Sequence, residues 1–240
     1  MPNQFIKKLR GFGRLGEDDV GALVRATARP RRLPQKHDLI REGDRPGPVF
    51  VMLEGWAYRY KILPNGTRQV LAYLMPGDAC DLHIGLLGEM DHSIQTLTDA
   101  LVTTIGRDEI EKIFDDHPQI ANAMYVSQLV DEGTMRAWIT SMGRRTSVER
   151  VAHLMCELFI RARNIGLETD PVFDLPLSQL LLADSLGMTA VHLNRVLKDL
   201  RQENVMTLKR GCLSIIDIGK LTRIAGFDDN YLHRRIRTAA

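Results

Sequence analysis

Leu177-Ser-Gln-Leu-Leu-Leu-Ala-Asp-Ser-Leu-Gly187-Met-Thr-Ala-Val-His-Leu-Asn-Arg195-Val-Leu-Lys-Asp-Leu200 holds two short helical patterns on either side of a glycine. Ser178 is placed to cap the first helix by accepting a backbone N–H. Ala183 is small where two helices would cross closely, and Gly187 tolerates the left-handed backbone of a tight turn. Thr189 can cap the second helix, on which Leu193, Val196, Leu197 and Leu200 fall at the spacing of one buried face. The segment predicts a helix-turn-helix. The opposite face offers Ala190, Val191, His192, Asn194, Arg195, Lys198 and Asp199. Arg195 can present two donors to O6 and N7 of guanine, a contact worth about 1–3 kcal/mol against a wrong base. Thr189 and His192 lie near the helix start, where backbone N–H groups and side chains meet phosphate.

Downstream, Val205-Met-Thr-Leu-Lys209-Arg210-Gly211-Cys-Leu-Ser-Ile-Ile216 alternates around a basic turn and predicts a winged hairpin with a cationic tip. The expected DNA-contacting set is Ser178, Thr189, Ala190, Val191, His192, Asn194, Arg195, Lys198, Lys209 and Arg210. Upstream, residues 164–176 read as a polar loop, preceded by an amphipathic helix over Ser147–Arg163 that carries Val151, Leu154, Met155, Leu158 and Phe159. Before that, a helical pattern opens at His117-Pro118 and runs to about Met142, roughly 25 residues or about 37 Å, too long for a small barrel to cover. Ile120, Met124, Ser127, Val130, Thr134, Ala137 and Ser141 form one stripe, with Leu129, Met135, Trp138 and Ile139 off it. Apolar residues on more than one side predict a helix that also pairs with its twin in a homodimer. Gly143-Arg144-Arg145 breaks the pattern and marks the expected domain boundary.

Toward the N-terminus the period shortens. Gly43, Gly55, Gly66, Gly77 and Gly88 punctuate strand-like segments at Pro48–Glu54, Trp56–Leu63 and Thr67–Leu74, and Ala100–Ile105 follows. Such spacing marks an antiparallel barrel or sandwich. Pro64-Asn65-Gly66 is a hairpin signal, because Asn-Gly tolerates the positive φ values of a type I′ turn. Arg107–Asp115 reads as a short helix.

The 240 residues allow one large domain or two ordinary ones. With 44% hydrophobic and 26% charged residues, composition excludes disorder and collagen. No apolar run approaches the roughly 18 residues of a membrane helix, and no secretory signal is legible, so a cytoplasmic protein is expected. Cys80, Cys156 and Cys212 lack Cys-x-x-Cys spacing, which argues against a disulfide framework or a four-cysteine metal site. The formal charge of +2 is uneven: up to Gly143 there are 17 Lys+Arg against 19 Asp+Glu, net −2, and from Arg144 onward 15 against 11, net +4. That asymmetry points weakly to an anionic partner for the C-terminal half.

A glycine-punctuated β-roll with Gly43-Asp44, Val51-Met-Leu-Glu-Gly55 and Pro76-Gly77-Asp78, followed by a long helix and a winged helix-turn-helix, resembles the Crp-Fnr family of bacterial transcription regulators over nearly the whole chain. The resemblance implies a cytoplasmic homodimer, paired through the long helix, that binds a two-fold symmetric operator on double-stranded DNA and works with RNA polymerase. An effector in the sensor half would set the orientation of the DNA-binding half. Where cyclic-nucleotide-binding members carry Gly-Glu and Arg-Ser or Arg-Thr pairs, this chain has Asp81-Leu82 and His92-Ser93. A buried cyclic phosphate would lack its arginine, and cyclic AMP is not expected as ligand. No cysteine cluster precedes Cys80, which argues against the oxygen-sensing iron-sulfur cluster of another branch. Many members place a glutamate that reads cytosine where this chain has Val191, whereas Arg195 matches the family's guanine-reading arginine. The usual family operator is therefore not implied.

Two weaker signals have plainer readings. Gly11-Phe-Gly13-Arg-Leu-Gly16 has dinucleotide-fingerprint spacing but follows a basic, helix-like segment and leads into a helix over Glu17–Thr27, so a loop is expected. Cys80, Asp81, Leu82, His83, His92 and Ser93 form the expected effector pocket. Without tight ligand spacing, a hydrogen-bonded cap on the β-roll is favoured over a metal site, and no cofactor is expected. No Gly-x-Ser-x-Gly, Walker or His-Glu-x-x-His motif is present, so no enzyme is expected. The resulting expectation is an α+β chain: a β-roll sensor domain like a cyclic-nucleotide-binding domain over 1–117, a dimerisation helix over 118–143 and a winged helix-turn-helix over 144–240. The competing class is a small-molecule, metal or redox sensor whose C-terminal half engages a protein partner.

Overall fold

The computed structural model describes residues 3–80, 82, 88–166 and 172–233. Asn3 accepts the Ile6 N–H and starts α1 (Gln4–Arg10), and the Gly16 N–H donates to the Asp19 carboxylate at the start of α2 (Glu17–Ala26). The glycines between them form the expected loop, preceded by a helix and not by a strand.

Eight strands follow: β1 (Arg31–Leu33), β2 (Asp38–Ile40), β3 (Val49–Glu54), β4 (Ala57–Ile62), β5 (Arg68–Leu74), β6 (Ala79–Cys80), β7 (Ser93–Thr96) and β8 (Ala100–Ile105). They make two four-stranded sheets, ordered β1-β8-β3-β6 and β2-β7-β4-β5. In β7, Ile94 and Thr96 are buried while Ser93 and Gln95 are half-exposed, the period of two that a sheet covering one core face requires. The core between the sheets contains Met52, Ala57, Leu74, Cys80, Met90, Ile94 and Val102.

Two turns show why glycine recurs. Gly55 has φ +77° between β3 and β4, and a Cβ there would run into the Asp99 carbonyl. The Pro64-Asn65-Gly66 hairpin forms, but not as type I′. Only Gly66 of the Asn-Gly pair has positive φ, and the Gly66 N–H donates to Leu63 O at 2.8 Å while the Leu63 N–H donates to Thr67 O at 2.8 Å. The pattern is that of a longer hairpin loop ending on a left-handed glycine.

Beyond the sheets come α3 (Arg107–Asp116), α4 (Pro118–Arg144) and α5 (Ser147–Asn164). α4 runs through Gly143, so the expected break falls later, where Thr146 caps α5 by accepting the Glu149 N–H and the Glu149 carboxylate accepts the Thr146 N–H. The remaining elements are β9 (Val172–Asp174), α6 (Gln179–Leu186), α7 (Ala190–Gln202), β10 (Met206–Lys209), β11 (Cys212–Ile215), α8 (Ile218–Ala225) and a 3-10 turn at Asp229–Leu232. β9 lies in the segment expected to be loop and pairs antiparallel with β11, giving a sheet ordered β10-β11-β9.

By its contacts the chain divides into two compact units, one from residues 1–62 and 71–132, the other from 63–70 and 133–232. In the second, Arg68 pairs with Asp184 of α6 at 2.7 Å. The division falls inside α4, between Glu132 and Gly133, whereas the three-part division expected from the sequence keeps that helix separate. No helix among the described residues is long and apolar enough to cross a membrane.

Candidate nucleic-acid interface

The helix-turn-helix is built by the caps that the sequence suggested. The Ser178 hydroxyl accepts the Leu181 N–H at 3.1 Å, and the Thr189 hydroxyl accepts the His192 N–H at 3.2 Å. Gly187 ends α6 in the left-handed region at φ +59°. Arg150, reaching from α5, donates to Leu186 O at 2.7 Å and to Arg145 O at 3.3 Å, so a cation sits on the last carbonyls of α6 where its dipole is negative. Sequence reasoning missed Arg150 and Thr146. The Thr-x-x-Glu capping-box pattern could have found Thr146, but nothing local marks Arg150.

α7 divides cleanly. Leu193, Val196 and Leu200 are buried and Leu197 is half-buried, while Val191, Asn194, Arg195, Lys198 and Asp199 are exposed, Val191 to 72%. Among the described residues Arg195 and Lys198 make no ion pair, so their donors face outward uncommitted. Ala190 is half-buried, and Ser178 and Thr189 are exposed at their caps. His192 differs from the expectation of a side chain free for phosphate: it is half-buried and lies 2.7 Å from the Ser147 hydroxyl in the first turn of α5.

The wing pairs Met206 with Ile215 and Lys209 with Cys212. Its two-residue turn, Arg210-Gly211, has φ +50° and +77°, the positive pair of a type I′ turn. Lys209 and Arg210 therefore stand exposed at the tip, and the Leu175 N–H, donating to Gly211 O at 2.7 Å, ties the tip to the strand before α6. The exposed face of α7 thus carries Arg195 and Lys198, and the wing tip carries Lys209 and Arg210.

Of the expected effector cluster, Cys80, Leu82, His92 and Ser93 are among the described residues. Cys80 is 1% exposed and belongs to the sheet core opposite Phe50, and Leu82 is half-buried. Asp81 and His83 lie outside the described residues. His92 is buried, with Nδ1 2.6 Å from the Asp91 carboxylate and Nε2 accepting from Arg59 Nε at 3.1 Å. Those partners fix the tautomer with the proton on Nδ1, and the hydrogen bond from His92 holds the Asp91 carboxyl below its usual range. The Ser93 hydroxyl accepts the Glu42 N–H at 3.0 Å. Arg59 is the cation that sequence reasoning missed, since only strand pairing brings it across to His92. Among the described residues no group of three or more His, Cys, Asp or Glu side chains could hold a metal.

α4 buries Ile120, Met124, Ser127, Val130, Thr134 and Ser141, the predicted stripe apart from half-buried Ala137. Tyr125, Leu129, Met135, Ile139 and Met142 are exposed, Ile139 to 72%.

The sequence profile of the cyclic nucleotide-binding domain matches residues 30–117, and that of the Crp-like helix-turn-helix domain matches residues 149–224. A "Probable transcriptional activator" of Rhizobium leguminosarum bv. viciae is 25% identical over 199 residues, 82% of this chain and 80% of that protein. Similar too are the nitrogen fixation regulation protein FixK of Bradyrhizobium diazoefficiens, 25% identical over 77% of this chain and 76% of its own length, and the transcriptional activator protein FnrL of Cereibacter sphaeroides, 25% identical over 80% and 78%. Among solved structures, FixK2 from Bradyrhizobium japonicum superposes with TM-score 0.74 at 21% identity, covering 83% of this chain and 98% of that one. A CooA mutant from Carboxydothermus hydrogenoformans gives 0.69 at 17%, covering 91% and 99%. At these identities the superpositions establish the fold alone.

Proposed function

The chain belongs to the Crp-Fnr family of DNA-binding transcription regulators, and we propose that it acts as a cytoplasmic homodimer on a palindromic operator. The observation that carries this reading is the outward face of α7, where Arg195 and Lys198 stand exposed and unpaired among the described residues beside Val191. Arg195 reads guanine through its paired donors, Val191 packs on a thymine methyl, and Asn194 adds a second base contact. Ser178, Thr189, Lys198, Lys209 and Arg210 hold the phosphates, and Ala190 permits close approach at the helix start. His192, engaged by Ser147, positions the start of α7 against α5 and meets phosphate through that pair.

Dimerisation uses the exposed row on α4, since Tyr125, Leu129, Met135, Ile139 and Met142 recur at helical spacing and would be buried against a second copy. The two α7 helices then enter successive major grooves about 34 Å apart. We divide the chain by role into sensor (1–117), pairing helix (118–143) and DNA-binding domain (144–240). The sensor takes an effector other than cyclic AMP, because Arg59 is already committed to His92. Several relatives are named as transcriptional activators, and on that ground we assign this protein a contact with RNA polymerase and a role in binding and not catalysis.

Selection of duplexes from a random pool tests the proposal. A palindrome whose binding weakens steeply with salt is expected. An unenriched pool, with the C-terminal half instead retaining a protein partner, would replace it with the reading of a sensor that signals through protein contact.

A further inference from the structure

Three elements of the C-terminal unit meet at one buried carboxylate. Glu157, in the middle of α5, is 0% exposed. Trp138, in the last turns of α4, donates its indole N–H to Oε1 and Oε2 at 3.2 and 3.0 Å. Tyr231, in the 3-10 turn that follows α8, donates its hydroxyl to Oε2 at 2.9 Å. Arg161, one turn along α5, places a guanidinium nitrogen 3.6 Å from Oε1. Burial pushes the Glu157 carboxyl up, with Arg161 opposing most strongly.

The surroundings are built to seat that turn. The ring of His153, one turn before Glu157, stacks on Tyr231 at 5.9 Å between centroids and meets Phe227 edge-on at 5.0 Å. On α4, a Cβ at Gly133 would lie 2.9 Å from the Tyr231 carbonyl oxygen, so the backbone of the turn approaches α4 as closely as glycine allows. Apolar contacts alone tolerate sliding of one helix along another, whereas hydrogen bonds with narrow limits of distance and angle do not. Peeling the end of α4 from α5 would take the indole N–H of Trp138 away from the buried Glu157 carboxylate, a costly loss to both groups.

We propose that Glu157 is a positioning residue that bolts the last turns of α4 to α5 and to the C-terminal turn, so that this part of the pairing helix and the helix-turn-helix form one rigid body. Because of the bolt, the separation and angle of the two α7 helices in a dimer follow from the pairing of α4 and cannot drift at the turn between α4 and α5. This rests on the dimeric DNA-binding reading above, and its test has an arm that does not need DNA.

Tyr231→Phe removes one donor and keeps the ring, and Trp138→Phe removes the other donor and leaves a smaller aromatic ring in the place of the indole. The duplex is the palindrome selected by the wild-type chain, with its half-site separation altered by one or two base pairs. Each variant is expected to lose about fivefold to tenfold of the wild-type preference for the selected spacing, the equivalent of one hydrogen bond, while binding to a single half-site stays unchanged. Without DNA, amide exchange over residues 133–144 is expected to quicken about tenfold relative to α5. Quickened exchange with an intact spacing preference overturns the positioning role and leaves a purely structural contact, and unchanged exchange overturns the bolt itself. If the wild-type chain selects no duplex, the functional reading fails, and exchange alone decides whether the bolt exists.

Discussion

In the β-roll, Asp78 is 6% exposed, with Lys8 Nζ 2.6 Å from one oxygen and the Met75 N–H donating to the other at 2.7 Å. Buried His92 likewise has a partner on each ring nitrogen. In the DNA-binding unit the closest donors to Glu157 are an indole and a phenol, both neutral, and His153, 3% exposed, packs against the rings of Phe227 and Tyr231. The β-roll thus seats buried Asp78 directly on a cation, while the other unit places neutral donors and rings closest to Glu157 and His153, with Arg161 farther from the carboxylate at 3.6 Å. Removing a partner should therefore be severe in the first, and changing protonation should matter in the second.

The largest expected effect is Lys8→Met, which removes the cation beside the buried Asp78 carboxylate and should cost about 3–5 kcal/mol by urea unfolding at pH 7. A loss below about 1 kcal/mol would erase the contrast. Next comes pH. Burial, helped by the Arg145 charge, holds the His153 imidazole down to about 4 from an ordinary 6.5. The folded protein then binds this proton less well than the unfolded chain, so the stabilisation is complete above about pH 6.5 and is lost as pH falls toward 4, a span of about 3 kcal/mol. Unfolding curves across that window should flatten in His153→Leu, and an unchanged slope would remove His153 from the account.

Arg195→Ala tests the outward face of the same unit. Affinity for the selected palindrome should fall about 10- to 100-fold, consistent with one bidentate base contact, while unfolding is unaffected. Equal weakening on unrelated duplexes would demote Arg195 to a phosphate contact. The smallest effect is expected for Glu157→Gln, which keeps an acceptor and removes a charge that burial disfavours. Stability at pH 7.5 should move by less than about 1 kcal/mol, against the several lost at Asp78. A larger loss would place Glu157 with Asp78, the charge-compensated carboxylate of the β-roll.

How much was legible depended on how local each signal was. Ser178, Gly187 and Thr189 act within a few residues of themselves, and all three take the predicted backbone roles. The Asn-Gly hairpin was legible as a hairpin but not in its turn type, because proline at position 64 and the strand ends choose among loops that share the same glycine. β9 has three residues, of which only Phe173 is buried, too few for any period to show. Glu157 resembles a solvated charge on an amphipathic helix until Trp138 and Tyr231 converge on it from 19 residues before and 74 after. Arg59 and His92, 33 residues apart, are joined only by the register of β4 and β7.

The wing turn carries a consequence of its own. Its first position, at φ +50°, is one where asparagine or glycine rests easily and a long side chain costs roughly 1–2 kcal/mol, yet arginine stands there. Local backbone preference is overruled at the apex of a hairpin that could have been quieter without it. The strain and the exposure go together: the type I′ turn that costs Arg210 its preferred backbone holds a guanidinium out at the apex of the hairpin, where its charge stands open to solvent.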